Sequence, residues 1–118
     1  MGILTLKRGD VYLVDFDPAI GAEINKTRPA IVLQNDVANR YGGVTIVTAI
    51  TSFRAGRPYP TKVEIPAGDG GLDKDSTAML NQLRTVDKKR LQKKLGVLSS
   101  FTMQRVDVAL QVSLGLVR

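Results

Sequence analysis

Val44-Thr45-Ile46-Val47-Thr48-Ala49-Ile50-Thr51 is the stretch that decides how this chain folds. Its β-branched side chains are stiff at χ1 and suit a pleated, half-buried surface better than a helix, and the Gly42-Gly43 pair in front of it reads as a turn. Working outward, Asp10 to Phe16 reads as a second strand, with Tyr12, Val14 and Phe16 on one face and Val11 and Leu13 on the other, so both faces should be covered; Asp17-Pro18 ends it. Ala30 to Leu33 follows Pro29, which fixes φ and lacks a ladder donor. Thr61 to Ile65 and Thr77 to Leu83 read as two more strands, separated by the turn-rich Pro66-Ala67-Gly68-Asp69-Gly70-Gly71. Five short strands with tight links predict a small barrel or rolled sheet. The pattern then changes: Asp87 to Gly96 reads as a short helix with Gly96 near its C-terminus. A final helix is expected after Ser99 or Ser100, with Met103, Val106, Leu110, Leu114 and Val117 along a stripe that is core or interface. The expected class is mainly β with a C-terminal helix (α+β), in one domain over residues 1–118.

Composition narrows the chemistry. A chain of 118 residues can bury a core without disulfides or metal, and with neither cysteine nor histidine it lacks thiolate nucleophiles, disulfides and the commonest acid–base and metal-binding side chain. Met1 to Leu6 is too short for a signal-peptide core, and no apolar run approaches the roughly 18 residues needed to cross a bilayer, so a soluble, cytoplasmic protein is expected. A net charge of +6 makes nucleic acid or an acidic protein a plausible partner, although many basic domains are merely soluble.

Arg28 stands before Pro29 at the entrance to the second apolar run, and its planar, permanently charged guanidinium suits phosphate oxygens. Thr51 ends the β-branched run where the chain enters Ser52-Phe53-Arg54-Ala55-Gly56-Arg57-Pro58-Tyr59-Pro60. In that loop Arg54 and Arg57 supply charge, and Phe53 and Tyr59 offer faces for unpaired bases, or simply pack down. Gln82 and Arg84 flank Leu83 and should share a strand face, with Asn81 opposite; they could meet bases or phosphate, or form a polar edge. The run Arg84, Lys88, Lys89, Arg90, Lys93 and Lys94 reads as a solvated helix face with a supporting electrostatic role. Asp69, Asp73 and Asp75 lack calcium-loop spacing and no Walker-type loop occurs, so neither metal nor cofactor is expected.

In order, Arg8-Gly9-Asp10-Val11-Tyr12, Gly21-Ala22-Glu23, Thr27-Arg28-Pro29, Val32-Leu33-Gln34-Asn35-Asp36, Thr48-Ala49-Ile50-Thr51 and Asn81-Gln82-Leu83-Arg84-Thr85-Val86-Asp87 resemble the MazF/PemK family of toxin endoribonucleases, from about Lys7 to Leu116. The resemblance implies an SH3-like barrel with appended helices, as in the MazF, PemK and CcdB proteins, a homodimer, and metal-independent, sequence-selective cutting of single-stranded RNA. It also implies a cognate antitoxin, MazE-like, with an acidic, flexible tail. By position, Arg28 and Thr51 match the family's catalytic pair and Gln82 a residue linked to base recognition; Glu23 and Thr27, in the matching motifs, join the RNA-binding candidates. Ala22 and Ile24 stand where serine and glutamine are frequent in the family. Two alternatives remain at this point: a CcdB-like topoisomerase poison, which would need no Arg28 and Thr51 pair, and a nucleic-acid-binding module that does not cut.

Overall fold

The computed structural model describes residues 5–52 and 59–117. Its strands are β1 (Asp10–Asp15), β2 (Thr27–Val32), β3 (Val44–Ser52), β4 (Lys62–Ile65), β5 (Ser76–Asp87) and β6 (Leu91–Val97); its helices are α1 (Asp36–Tyr41) and α2 (Ser100–Ser113). The strands form one antiparallel sheet in the order β4-β5-β3-β2-β1-β6. Its ladder is not closed, and its six strands replace the expected five.

Period-two alternation sorts the apolar side chains onto two faces, as anticipated for the first strand. Val11, Ile31 and Ile50 point to one side, where Val63, Ile65, Leu80, Leu98, Val106 and Ala109 join them; α2 packs here, against β4 and β5. Tyr12, Val14, Phe16, Ala30, Val32, Val47 and Ala49 point to the other, with Leu6 buried among them and Ile24 packed against them. Phe16, Ile31, Ile50, Ile65 and Leu80 are fully buried. Each is worth about 1.5–3 kcal/mol relative to exposure, so the two clusters dominate stability.

The segment Asp87 to Gly96 is not the expected helix. Asp87 caps a single 3-10 turn, Lys88–Arg90, accepting from the Lys89 N–H at 2.8 Å, and the chain then runs extended as β6 beside β1. Ladder bonds to an otherwise unpaired β1 edge override the helix propensity of Lys, Gln and Leu. Gly96 serves this strand, because a Cβ there would lie 2.7 Å from the backbone carbon of Gly70, where the Asp69–Gly71 turn crosses β6. Lys89, Lys93 and Lys94 of the basic run are exposed, as expected, whereas Lys88 donates to the Asn39 carbonyl and Arg90 to those of Asp15 and Asp17.

Other boundaries differ by a few residues. β2 begins at Thr27, so Arg28 is a strand residue and not a loop residue, and β5 continues to Asp87. The helix α1 was not anticipated; Asn35 caps it, accepting from the Ala38 N–H at 2.9 Å. α2 follows its expected start, with Ser99 as cap. Its stripe is buried at Val106 and packed at Met103 and Leu110, but the helix ends at Ser113, leaving Leu114 and Val117 exposed. Arg8 ties this frame together by donating through Nε to the Leu33 carbonyl at 2.8 Å, pairing with Asp107 of α2 and donating its backbone N–H to Asp36 at 2.7 Å. That bond holds the Asp36 carboxyl below its usual range. Nearby, burial and then the Asp10 charge push the Tyr12 hydroxyl up.

Candidate active site

β2 and β3 pair from Val32 and Val47 to Ala30 and Ala49, where the ladder ends. Carried two residues further, the same register would set Arg28 across from Thr51, and both border one cleft beyond the end of that ladder. A cleft of about 590 Å³ opens at this end. Arg28 and Thr51 border it together with Thr27, Ser52 and Ser76; Leu13, Pro29, Ile50, Leu72 and Leu95 give it an apolar floor. Lys74, Lys93 and Lys94 also line it, against one carboxylate, Asp73.

Alternation explains why neighbouring lysines differ. Both border the cleft, but Lys93 opposes Leu13 and shares its face, whereas Lys94 opposes Tyr12 and lies 3.5 Å from Asp10, a buried carboxylate that needs a partner. Among the described residues, neither Lys74 nor Lys93 pairs with a carboxylate.

Arg28 is half-buried, and its guanidinium docks on the β1–β2 connection: Nε donates to the Asn25 carbonyl at 2.8 Å and Nη2 to the Asn25 Oδ1 at 3.3 Å. Among the described residues the Thr51 hydroxyl has only the Ser52 carbonyl at 3.5 Å, at the limit of a hydrogen bond. A charged fork and a weakly engaged hydroxyl at one cleft rim can bind an anionic tetrahedral group.

Gln82 does something its sequence did not suggest. Ala49 pairs with Met79 but Thr48 with Leu83, so Leu80, Asn81 and Gln82 bulge from the ladder. The bulge re-aims Gln82 at the β1–β2 connection, where its Oε1 accepts from the Ile24 N–H at 3.1 Å and its Nε2 donates to the Ala22 carbonyl at 3.2 Å. These are backbone bonds, indifferent to the side chains at positions 22 and 24. Arg84, reaching the same region, donates to the Phe16 carbonyl. Glu23 closes its own loop by accepting from the Ile20 N–H at 2.7 Å. Thr27 pairs with Asp15 at the β2 entrance. Tyr59 stands apart from the cleft, in a groove with Lys62, Val63, Arg105 and Val108, its ring 4.9 Å from the Lys62 ammonium. Phe53, Arg54 and Arg57 lie outside the described residues.

Fold and cleft together define a small, basic sheet-and-helix protein with an arginine- and lysine-lined cleft at one end of its sheet. Residues 7–114 match the family described as the PemK-like, MazF-like toxin of type II toxin–antitoxin systems. The chain is 45% identical over 114 residues to the endoribonuclease EndoA of Bacillus subtilis (strain 168), covering 97% of this chain and 98% of that protein. Among solved structures it is similar to an endoribonuclease in complex with its cognate antitoxin from Mycobacterial species, at 26% identity and a TM-score of 0.80, over 96% of this chain and 98% of that one. It also shares its fold with MazF from Deinococcus radiodurans, at a TM-score of 0.81 and 24% identity, over 96% and 99% of the two chains. This chain belongs to the PemK-like, MazF-like toxin family.

Proposed function

We propose that this protein is the toxin of a type II toxin–antitoxin pair, a single-domain endoribonuclease that cuts single-stranded RNA at selected sequences without a metal ion. The observation that carries the reading is that Arg28 and Thr51 line the same basic cleft, in a member of this family. The proposed reaction is attack of the ribose 2′-hydroxyl oxygen on the adjacent phosphorus. The P–O5′ bond breaks, the 2′-proton passes to solvent or a protein group and the leaving 5′-oxygen gains one. The products are a cyclic phosphate and a 5′-hydroxyl. Arg28 stabilises the charge gathering on the phosphoryl oxygens, and the Thr51 hydroxyl orients the phosphate by hydrogen bonding. Always protonated, Arg28 serves as an electrostatic clamp and not as a base.

The remaining partners follow from the same surface. A basic cleft with an apolar floor suits the acidic, flexible tail of an antitoxin, which would exclude RNA by covering it; a mycobacterial relative was solved with its cognate antitoxin. Among the described residues no helix is long and apolar enough to cross a membrane. The proposal takes the toxin as a cytoplasmic homodimer, as its family membership suggests. Glu23, Thr27, Gln82 and Arg84, around the β1–β2 connection, together with Phe53, Arg54, Arg57 and Tyr59 toward the β3–β4 loop, form the proposed RNA-binding set.

The test is to incubate antitoxin-free protein with a long single-stranded RNA in excess EDTA and map the fragment ends. Discrete cuts with 5′-hydroxyl ends are expected, and a deoxyribose at the cleavage position should abolish them. Intact RNA across a pool covering all short sequence motifs would overturn the reading.

A further inference from the structure

The contact between Arg28 and Asn25 divides the guanidinium into two working edges. Arginine has five N–H donors in a fixed plane. Asn25 takes the side edge, Nε with its backbone carbonyl and Nη2 with its Oδ1. The end edge, formed by Nη1 and the second Nη2 proton, keeps a parallel pair of donors, and that is the geometry suited to two oxygens of one phosphate. With both edges defined, the plane is fixed before a substrate arrives.

The turn that presents Asn25 is itself held. Lys26 has φ at +65°, a left-handed conformation uncommon for a residue with a Cβ. It persists because its N–H donates to the Asp17 Oδ1 at 3.0 Å and its carbonyl accepts from the Phe16 N–H at 2.9 Å. Gln82 holds the same connection from the other side, through Ala22 and Ile24. Two independent anchors therefore set the Asn25 carbonyl and amide oxygen on the Arg28 side edge, at a residue that has no hydrogen-bonding duty to its own helix or sheet.

Resting on the nuclease reading, we propose that Asn25 is a positioning residue, one that orients Arg28 by occupying its side edge so that the end edge faces the scissile phosphate. Its carbonyl works whatever the side chain, and Oδ1 supplies the second point that stops rotation about Nε. A point charge cannot be oriented in this way, so the role exists only for an arginine at position 28.

Single-turnover and steady-state cleavage of one defined RNA oligonucleotide test this, with wild type, Asn25→Ala, Asn25→Asp, Arg28→Lys and the Asn25→Ala/Arg28→Lys pair. Asn25→Ala should lower kcat about tenfold with KM unchanged, as expected for loss of one hydrogen bond that matters in the transition state. Asn25→Asp restores an oxygen at the Oδ1 position and should recover most of the rate. In the Arg28→Lys background the alanine change should have no further effect, a non-additivity that a general loss of loop stability would not produce. An unchanged kcat for Asn25→Ala, or an equal fall in both backgrounds, would overturn the role while leaving the nuclease intact. A wild-type protein that leaves the oligonucleotide uncut would overturn the nuclease reading and this inference with it.

Discussion

Two polar regions of this molecule, built from similar side chains, are finished in opposite ways. Within α1, Asn39 is 1% exposed and has every polar group engaged: Nδ2 donates to the Gln34 carbonyl at 2.8 Å, Oδ1 accepts from Gln34 Nε2 at 3.0 Å and from the Thr45 hydroxyl at 2.7 Å, and its carbonyl accepts from Lys88. Among the described residues of the cleft, Thr51 is barely engaged, Lys74 and Lys93 meet no carboxylate, and the end edge of the Arg28 guanidinium has no partner. Burial makes the first arrangement obligatory, since an unpaired polar group away from water costs about 1–3 kcal/mol. Exposure permits the second. A cluster that satisfies itself holds the fold together, and one whose donors remain available is arranged for a ligand.

The sharpest way to break this contrast is Arg28→Ala. Removing one preorganised donor of charge stabilisation should cut the cleavage rate by about 100- to 1000-fold, or roughly 2.7–4 kcal/mol of activation free energy. Stability should change by no more than about 0.5 kcal/mol, because Arg28 is half-buried at a strand end and its hydrogen bonds go to an exposed loop residue. Initial cleavage rates and urea unfolding of the same preparation check both halves. A large loss of stability would place Arg28 with the self-satisfied cluster.

Asn39→Ala should give the reverse pattern. It strands the Thr45 hydroxyl, which is fully buried, takes the side-chain donor from the Gln34 carbonyl, leaves Gln34 Nε2 with the Val44 carbonyl alone, and opens a small void. The expected destabilisation is about 3 kcal/mol by urea unfolding, with kcat retained in the folded fraction. Loss of kcat without loss of stability would mean that the two regions are coupled.

The two regions also differed in how far their residues could be read in the sequence. β1, β3 and α2 were legible because each carries a strong local pattern: the alternation of Tyr12, Val14 and Phe16, the β-branched run from Val44, and a serine cap before a periodic helix. Arg28 and Thr51 were legible as a pair through motif resemblance, and both line one cleft. β6 was hidden because Lys93, Lys94 and Gln92 favour helix locally and become a strand only through pairing with β1, a contact distant in sequence. The Gln82 latch was hidden for a similar reason, since it depends on the bulge that Leu80 to Gln82 make against β3. Arg8 and Asp10, conspicuous in the motif, serve the frame, Arg8 tying β2 to α1 and α2 and Asp10 accepting from the Lys7 N–H at 2.9 Å.

Asp69 gives the finest test, because it sits where the two kinds of region meet. The turn Asp69–Gly71 leads into Leu72, Asp73 and Lys74 on the cleft wall, and Asp69 fastens it to the start of α2. One carboxylate oxygen accepts from the Ser99 N–H at 2.8 Å; the other accepts from the Ser99 hydroxyl at 3.0 Å and the Thr102 hydroxyl at 2.6 Å. Partial burial pushes this carboxyl up, but the bonds from Thr102, Ser99 and the Gly70 N–H outweigh it, and the group ends below its ordinary value. A lowered folded pKa means that the stabilisation is present above the unfolded value, about 3.9, and fades as pH falls through the lower folded value. Asp69→Asn, which loses the charge and one acceptor, should therefore destabilise by about 1–2 kcal/mol at pH 7. The gap to wild type should narrow below about pH 4, as the wild-type carboxyl takes up its proton. Urea midpoints measured from pH 7 down to pH 3 would show this convergence. A gap that stayed constant with pH would mean that Asp69 acts through its shape and not its charge, and that this wall of the cleft is set by backbone packing of the Gly70–Gly71 crossing on β6 alone.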